Sequence, residues 1–365
     1  MDLKVTQANL HKALTIVARV ASGKNTLPVL SNILLNVANN QLKLSATNLD
    51  IAINTMVGAK VTKPGSLTIP ARLLQDFIAN LPDTTIRLRQ EDNKLHITTD
   101  NHNSTINGIA ADEFPVMPVI KKGDNWKVKA GDFKKALQQV VGAASGDEAR
   151  PILTGLFFHT SGKDLFIAAT DSYRLAEKKL AAPANETSFI LPASAAHDVL
   201  RIIGDSPEAT EVNITQDNQQ VRLETSETEL IARLIEGEYP DYQKLIPTEF
   251  AVSATLPKAE IVSIAKVSSL FARAAAGSVV VRTNQEKQTI EVQSVASQIG
   301  ENTASAPAKV SADGEITLNA RFLLDAINAL EGDTVTIGFN EKLQPVAVTS
   351  PDHKDYIHIV MPLKS

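Results

Sequence analysis

Apolar and polar positions alternate along this chain in two rhythms, one helical and one of period two. From Gln7 to Ala21, Leu10, Leu14, Val17 and Ala21 form one apolar stripe at helical spacing, directly after a short strand-like opening. Equivalent helices are predicted from Gly131 (GDFKKALQQVVGAA) and from Pro257 (PKAEIVSIAKVSSLFA). A second kind of helix begins in IPARLLQDFIANLPD from Ile69, LPASAAHDVLRIIGD from Leu191 and LNARFLLDAINALEGD from Leu318. Each opens on an apolar residue, turns through Pro or Asn and continues as a short amphipathic helix. Between and after the helices run β-branched segments of period two, read as hairpins. Their predicted turns fall at Asn39–Asn40, Ser161–Gly162 and near Asn284–Gln285.

The two helix families keep the same spacing. Ile69, Leu191 and Leu318 lie 122 and then 127 residues apart, and Leu10, Phe133 and Ile261 lie 123 and 128 apart. Offsets near a third of the 365 residues mean repeated domains rather than a solenoid, whose units are much shorter. Each third therefore reads as strand, helix, strands, helix, strands. The fold class is α+β: three repeated domains, each with two helices packed on antiparallel sheets. The segments DEFPVMPVI and GEYPDYQKLIP, with Pro and aromatic residues, read as the connectors. Boundaries near residues 120 and 247 give domains 1–120, 121–247 and 248–365.

Composition narrows the function. There are no cysteines, so disulfides and thiolate metal sites are excluded. No signal-like apolar core opens the chain and nowhere do 18 apolar residues run together, so it is read as cytoplasmic with no membrane contact. The seven histidines (11, 96, 102, 159, 197, 353 and 358) show no metal-binding spacing, and no nucleophile elbow, P-loop or dinucleotide fingerprint occurs. Asp76, Asp198 and Asp325 recur across the copies. Their reading as a repeated surface or helix-packing position is preferred to carboxylate catalysis. His11 and His197 are expected on solvent-facing helix surfaces, and His353 in a solvated turn. The chain is read as having no catalytic residue, no metal and no cofactor.

Charge is distributed unevenly. The segments 7–21, 70–81, 131–144, 192–203, 257–273 and 319–330 hold ten Lys/Arg (12, 19, 72, 134, 135, 201, 258, 266, 273 and 321) against five Asp/Glu (76, 132, 198, 260 and 325). With a chain total of −5, that leaves +5 on the helices and −10 elsewhere. A basic helical layer on an acidic body would draw a polyanion to one face, although a slightly biased solvated surface explains the same counts. With only 4% aromatics, base stacking is not the mode of binding, and contacts would go to phosphates without reading sequence.

Six motifs in order, TLPVLSNILL at Thr26, IPAR at Ile69, ADEFP at Ala111, ATDSYRLA at Ala169, YPDY at Tyr239 and the C-terminal VMPLKS, resemble the bacterial sliding clamps, the beta subunits of DNA polymerase III. The resemblance spans the whole chain. It implies a head-to-tail homodimer closing a ring of six domains, with helices lining the hole and double-stranded DNA encircled without sequence specificity. It implies a nucleoid-associated processivity factor that tethers the replicative polymerase, the clamp loader, other DNA polymerases and repair proteins through one peptide groove.

By the same resemblance that groove is lined by Leu153, Thr170, Tyr173, Arg174, Leu175, Pro240, Lys244, Leu245, Pro345, Val346, Val360, Met361, Pro362 and Leu363. Lys24, Arg72, Arg150 and Arg201 are the implied DNA-facing residues, and Ile106, Leu270 and Phe271 the implied subunit interface. Departures are visible: Ser172–Tyr173 stand where many members carry Gly-His, and Ala193–Ser194 where some carry a basic pair. Two rival readings make different predictions. A metal-dependent hydrolase built on the recurring aspartates would lose activity in Asp76→Asn, and a three-domain scaffold that never encircles DNA would stay monomeric.

Overall fold

The structure is a computed structural model and describes residues 1–22, 27–205, 208, 210–273, 277–296 and 300–364. Lys24 lies outside the described residues. Six α-helices occur among them: α1 (Gln7–Val17), α2 (Ala71–Ala79), α3 (Ala130–Val140), α4 (Ala193–Asp205), α5 (Lys258–Ala272) and α6 (Ala320–Ala329). These are the two helix families of the repeats. Their inward faces follow the predicted stripe, with Ala71, Leu74 and Ile78 buried on α2 and Ala320, Leu323 and Ile327 on α6. The equivalent residues Leu10, Phe133 and Ile261 are each fully buried, worth roughly 2–3 kcal/mol apiece in apolar transfer. The Thr6 hydroxyl accepts from Asn9 N to cap α1, and Asn319 Oδ1 accepts from Arg321 N and Phe322 N to cap α6.

Contacts divide the chain into two compact units, and the division cuts the second repeat. One unit holds Met1–Lys134 with Ser194–Leu234. It contains a five-stranded sheet in the order Lys60–Lys63, Asp2–Thr6, Thr85–Glu91, Lys94–Thr98, Asn103–Asn107. Its eight-stranded sheet runs Asp124–Lys129, Glu211–Gln216, Gln220–Glu224, Thr228–Arg233, Ile51–Gly58, Gln41–Thr47, Asn32–Ala38, Gly65–Pro70. In this unit α1 packs on α2 and on the strands Ile51–Gly58 and Gln41–Thr47.

The other unit holds Lys135–Ala193 with Ile235–Ser365. Its nine-stranded sheet runs Ser188–Pro192, Gly155–Ser161, Asp164–Thr170, Arg174–Ala181, Tyr356–Val360, Val346–Thr349, Thr334–Phe339, Val252–Pro257, Lys309–Val310. A four-stranded sheet runs Gly300–Pro307, Thr289–Ala296, Ser278–Asn284, Gly314–Asn319. Here α5 packs on α6 and against the strands Thr289–Ala296 and Gly300–Pro307.

The large sheets are made by joining repeats edge to edge. Thr228–Arg233, the last strand of the second repeat, pairs antiparallel with Ile51–Gly58 of the first, Leu230 opposite Ile53. Tyr356–Val360, the last strand of the third, pairs antiparallel with Arg174–Ala181 of the second, His358 opposite Ala176. At 123 residues along one strand and 128 along the other, these are the same pairing in the same register. Each join converts two exposed strand edges into one ladder, so the hydrogen bonds that fix the register are backbone bonds independent of side chains.

The turn predictions are partly corrected. Asn39 and Asn40 form the first hairpin turn with φ of 49° and 57°, as the Asn-Asn pair implies. In the second repeat Ser161 pairs with Asp164, so the turn residues are Gly162–Lys163, one position later than read. Gly162 takes φ 61°, the left-handed conformation that Ser161 would hold less readily. In the third repeat Asn284 pairs with Thr289, so the turn near Asn284–Gln285 is the four residues 285–288. His11 is also corrected. It is half-buried, with Nδ1 shielded from water and unpartnered, because α1 is covered on more than its apolar stripe.

Candidate functional site

A tight turn after the strand Asp164–Thr170 carries the residues singled out in ATDSYRLA. Thr170 Oγ1 donates to Arg174 O at 2.6 Å and accepts from Ser172 N at 3.1 Å. Asp171 Oδ1 accepts from Tyr173 N and Arg174 N, both at 2.9 Å. Short Thr and Asp side chains replace backbone partners here, which is why this sequence turns so sharply. Ser172 is forced to φ 76°, a conformation that costs a non-glycine residue about 1 kcal/mol. Its hydroxyl accepts from Arg150 Nη1 at 2.9 Å, and Arg150 Nε also lies 3.3 Å from Asp147 Oδ2. The turn leaves Tyr173 exposed at the lip.

The C-terminal segment is sewn to this lip. Met361 N donates to Tyr173 O and Leu363 N donates to Thr317 O, both at 2.8 Å. The strand ending in Val360 pairs Arg174 with Val360, and Val346 with Val360 on its other side. Leu153 and Leu175 share one core cluster with Tyr239, Tyr242, Ala347 and Ile359, and Met361 packs against it. Leu153, Thr170, Leu175, Val346 and Val360 are buried, so they form a floor rather than a lining that a ligand would touch. The surface above that floor is offered by exposed Tyr173, Pro240 and Leu245 and by half-buried Pro345, Met361, Pro362 and Leu363. Lys244 stands out in solvent, paired with Asp241 at 2.6 Å.

The two aromatic residues of the connector anchor it. Tyr239 stacks on Phe157 with ring centroids 4.9 Å apart, and its hydroxyl accepts from Thr170 N at 3.1 Å. The Tyr242 hydroxyl lies 2.8 Å from His159 Nε2. Burial raises both tyrosines above the ordinary phenol range. The same burial pushes the Glu177 carboxyl up and the His159 imidazole down. Their signal in the sequence is the aromatic residue repeated within YPDY, where an exposed connector has no reason to hold two. Arg174 is the electrostatic centre, lying 2.6 Å from Asp325 on α6 and 3.2 Å from Asp171, with its guanidinium 4.6 Å over the Phe322 ring.

The helix cations are less available than a count implies. Lys12 pairs with Glu208 at 3.2 Å, Lys135 with Glu331 at 3.4 Å and Arg201 with Asp198 at 3.4 Å. Lys258 is occupied by backbone, donating to Leu330 O at 2.6 Å at the end of α6. Arg72 is exposed on α2, and Arg150 and Arg201 are exposed beside their acidic neighbours. Of the recurring aspartates, Asp325 serves Arg174, while burial raises the Asp198 carboxyl against the pull of Arg201. Among the described residues no group of three His, Asp or Glu side chains is placed to hold a metal ion, and no helix is long and apolar enough to cross a membrane. Leu270 is 59% exposed on α5 and Phe271 half-buried, whereas Ile106 is only 6% exposed, its strand paired to Lys94–Thr98.

Three α+β repeats, each with two helices and joined through shared sheets, define the DNA clamp architecture. The chain belongs to the DNA polymerase III beta subunit family: family models match its N-terminal domain over residues 1–118, its central domain over 127–241 and its C-terminal domain over 243–364. The beta sliding clamp of Synechococcus elongatus is 28% identical, the match covering 100% of this chain and 99% of the relative. That of Bacillus subtilis is 26% identical, covering 100% of both. Among solved structures, the DNA polymerase sliding clamp from Bacillus subtilis superposes with a TM-score of 0.94 at 23% identity, covering 100% of this chain and 99% of the other. The DNA polymerase III beta subunit of Thermotoga maritima gives 0.93 at 24% identity, with the same coverage.

Proposed function

We propose that the chain is a DNA polymerase processivity factor without catalysis of its own. It closes as a head-to-tail homodimer around duplex DNA, and each copy contributes three domains, 1–120, 121–247 and 248–365. Its surface at Tyr173, Pro240, Leu245 and Met361–Leu363 takes extended peptides from the replicative polymerase, the clamp loader and other polymerases and repair proteins. Arg72, Arg150 and Arg201, with Lys24, face the phosphates. Sliding needs no strong grip, because a closed ring is held topologically, and it works in the cytoplasm wherever the chromosome lies.

One observation carries the ring. Both joins inside the chain pair the last strand of one repeat with the same inner strand of the repeat before it. The first repeat's last strand, Asn103–Asn107, and the third repeat's corresponding inner strand, Gly300–Pro307, are each left at a sheet edge. Counting through the ladders, Ser104 corresponds to Leu230 and His358, and Asn302 to Ile53 and Ala176. A third join of the same kind therefore sets Ser104 opposite Asn302 of a second copy, and Thr105 opposite Glu301. The faces agree: Asn302 turns inward, its Nδ2 donating to Ser268 Oγ at 2.9 Å, while Thr105 and Glu301 point to solvent. Leu270 lies exposed on the helix packed beside that edge.

The absence of cysteine makes the test clean. Thr105→Cys with Glu301→Cys in one chain, treated with a short bis-maleimide, is expected to give a covalent dimer closed at two joints. Added to such a ring, circular DNA should stay unbound, whereas a ring sealed after loading should survive high salt and leave only when the circle is cut. A product that stays monomeric, or rings that dissociate from intact circles, would overturn the reading.

A further inference from the structure

The lip of the candidate groove is built a second time, in the other unit. Thr47 Oγ1 donates to Ile51 O at 2.9 Å and accepts from Leu49 N at 3.0 Å. Asn48 Oδ1 accepts from Asp50 N at 3.1 Å and Ile51 N at 2.8 Å. Arg233 N donates to Asp50 O at 2.9 Å, as Met361 N does to Tyr173 O. Leu49 takes φ 80° where Ser172 takes 76°. Even the preceding 3₁₀ turn recurs, Pro28–Ser31 matching Pro151–Thr154. Every one of these bonds has its counterpart 123 residues on, with Arg233 128 residues before Met361.

Four side chains on this second frame are apolar where the groove's counterparts are polar. Positions of Arg150, Ser172, Asp241 and Lys244 in the groove correspond to Leu27, Leu49, Val116 and Val119, the last two counted from the EFP and EYP of the connectors. These four are exposed by 48, 52, 96 and 69%. A large apolar side chain in the left-handed conformation has both strain and hydration against it, and Leu49 bears both without being covered. Conversely, Asp50 and exposed Arg233 stand where the groove has Tyr173 and Met361.

We infer that this duplicated lip is a second docking site, for an extended peptide segment of a partner protein that carries bulky apolar side chains. It rests on the groove reading, because the occupant is argued from the shared main-chain frame. The lip's own backbone groups bond one another, so binding comes from side-chain burial, and the Asp50 and Arg233 charges make its preference differ from the groove's. The two sites would let one clamp subunit hold two different partners at once.

The test uses the full chain with ¹³C-labelled Leu and Val methyl groups. The probe is a panel of acetylated octapeptides holding two Leu or Phe residues in a Gly/Ser background. Shifts at Leu27, Leu49, Val116 and Val119 are expected with at least one peptide. They should persist after deletion of residues 361–365, and Leu49→Ser with Val116→Ser should weaken that peptide about tenfold or more. Absence of shifts across the panel, or their loss with the 361–365 deletion, overturns the second site. So do shifts that appear on concentrating the protein alone, which assign the face to a second copy. Failure of the groove reading looks different: that deletion would leave every peptide affinity unchanged.

Discussion

His358 is a base held where it cannot take a proton. Its ring is buried with Nδ1 2.8 Å from the Tyr356 hydroxyl, while Nε2 has no partner. Burial first, and Arg174 second, hold its pKa down at about 3. Unfolding returns it to the ordinary value of 6.5, so below that value the unfolded chain binds the extra proton and the folded chain does not. Stability is therefore lost as pH falls below 6.5, by at most about 1.4 kcal/mol per pH unit from this residue. Glu177 and Asp198, raised by burial, act with the opposite sign just above their own unfolded values. Urea unfolding at pH 7 and at about pH 5.5 should show the loss, and His358→Gln should flatten it. A variant that keeps the full slope would move the cause elsewhere. Nothing in the sequence around His358 marks it as buried, since IHIV fits an alternating edge strand as well as a central one. Ile106 is likewise illegible locally: a strand isoleucine reads equally as core or interface until its neighbours are placed, and here it is 6% exposed within the single chain.

Helix packing in the first and third repeats uses the same device with different chemistry. Gln7 Nε2, at the start of α1, donates to Ile78 O at 2.8 Å near the end of α2. Lys258, the equivalent residue at the start of α5, donates to Leu330 O at the end of α6. Each satisfies a carbonyl that the helix end leaves without an internal partner and ties the two helices together. Gln7→Ala is expected to lower stability by about 0.5–1.5 kcal/mol, read as a shift of the denaturant midpoint at constant slope. No change would mean that water replaces the amide without cost. At this scale the sequence was most legible. Periodicity located all six helices because each has a single apolar stripe, and the hairpins followed from alternation. The turns are less so: Ser-Gly is a common turn pair, yet the ladder register makes Gly162–Lys163 the turn residues. The charge count overstates the free cations on the helices for a related reason, since Lys12, Lys135 and Lys258 find partners far along the chain.

For the whole molecule, the governing feature is that folding units and sequence repeats do not coincide. The second repeat is shared between two units because each large sheet is built from strands of neighbouring repeats. Joining repeats this way leaves Asn103–Asn107 and Gly300–Pro307 at sheet edges, the two that a second copy would cover on the proposed ring reading. Leu270→Glu, beside the open Gly300–Pro307 edge, is accordingly expected to shift light-scattering mass toward the monomer at micromolar concentration, with the thermal midpoint of the subunit little changed. A dimer of unaltered affinity would place the interface elsewhere.

Read along the chain, the three-fold repeat, the α+β class and the six described helices were legible, and the ordered motifs carried the resemblance to the family. The repeat, the class and the helices follow from periodicity and spacing, which are properties of the chain alone, whereas the family rests on the resemblance of the motifs. Which groove residues are floor and which are surface, which helix cations are already paired, and that Thr47–Ile51 duplicates the lip at Thr170–Arg174 became visible only in the folded chain. Those depend on what each side chain meets across a ladder or a helix pair. Much of that burial and pairing is set by residues far along the chain, as for Lys12 with Glu208 and Lys135 with Glu331, and no local pattern carries that information.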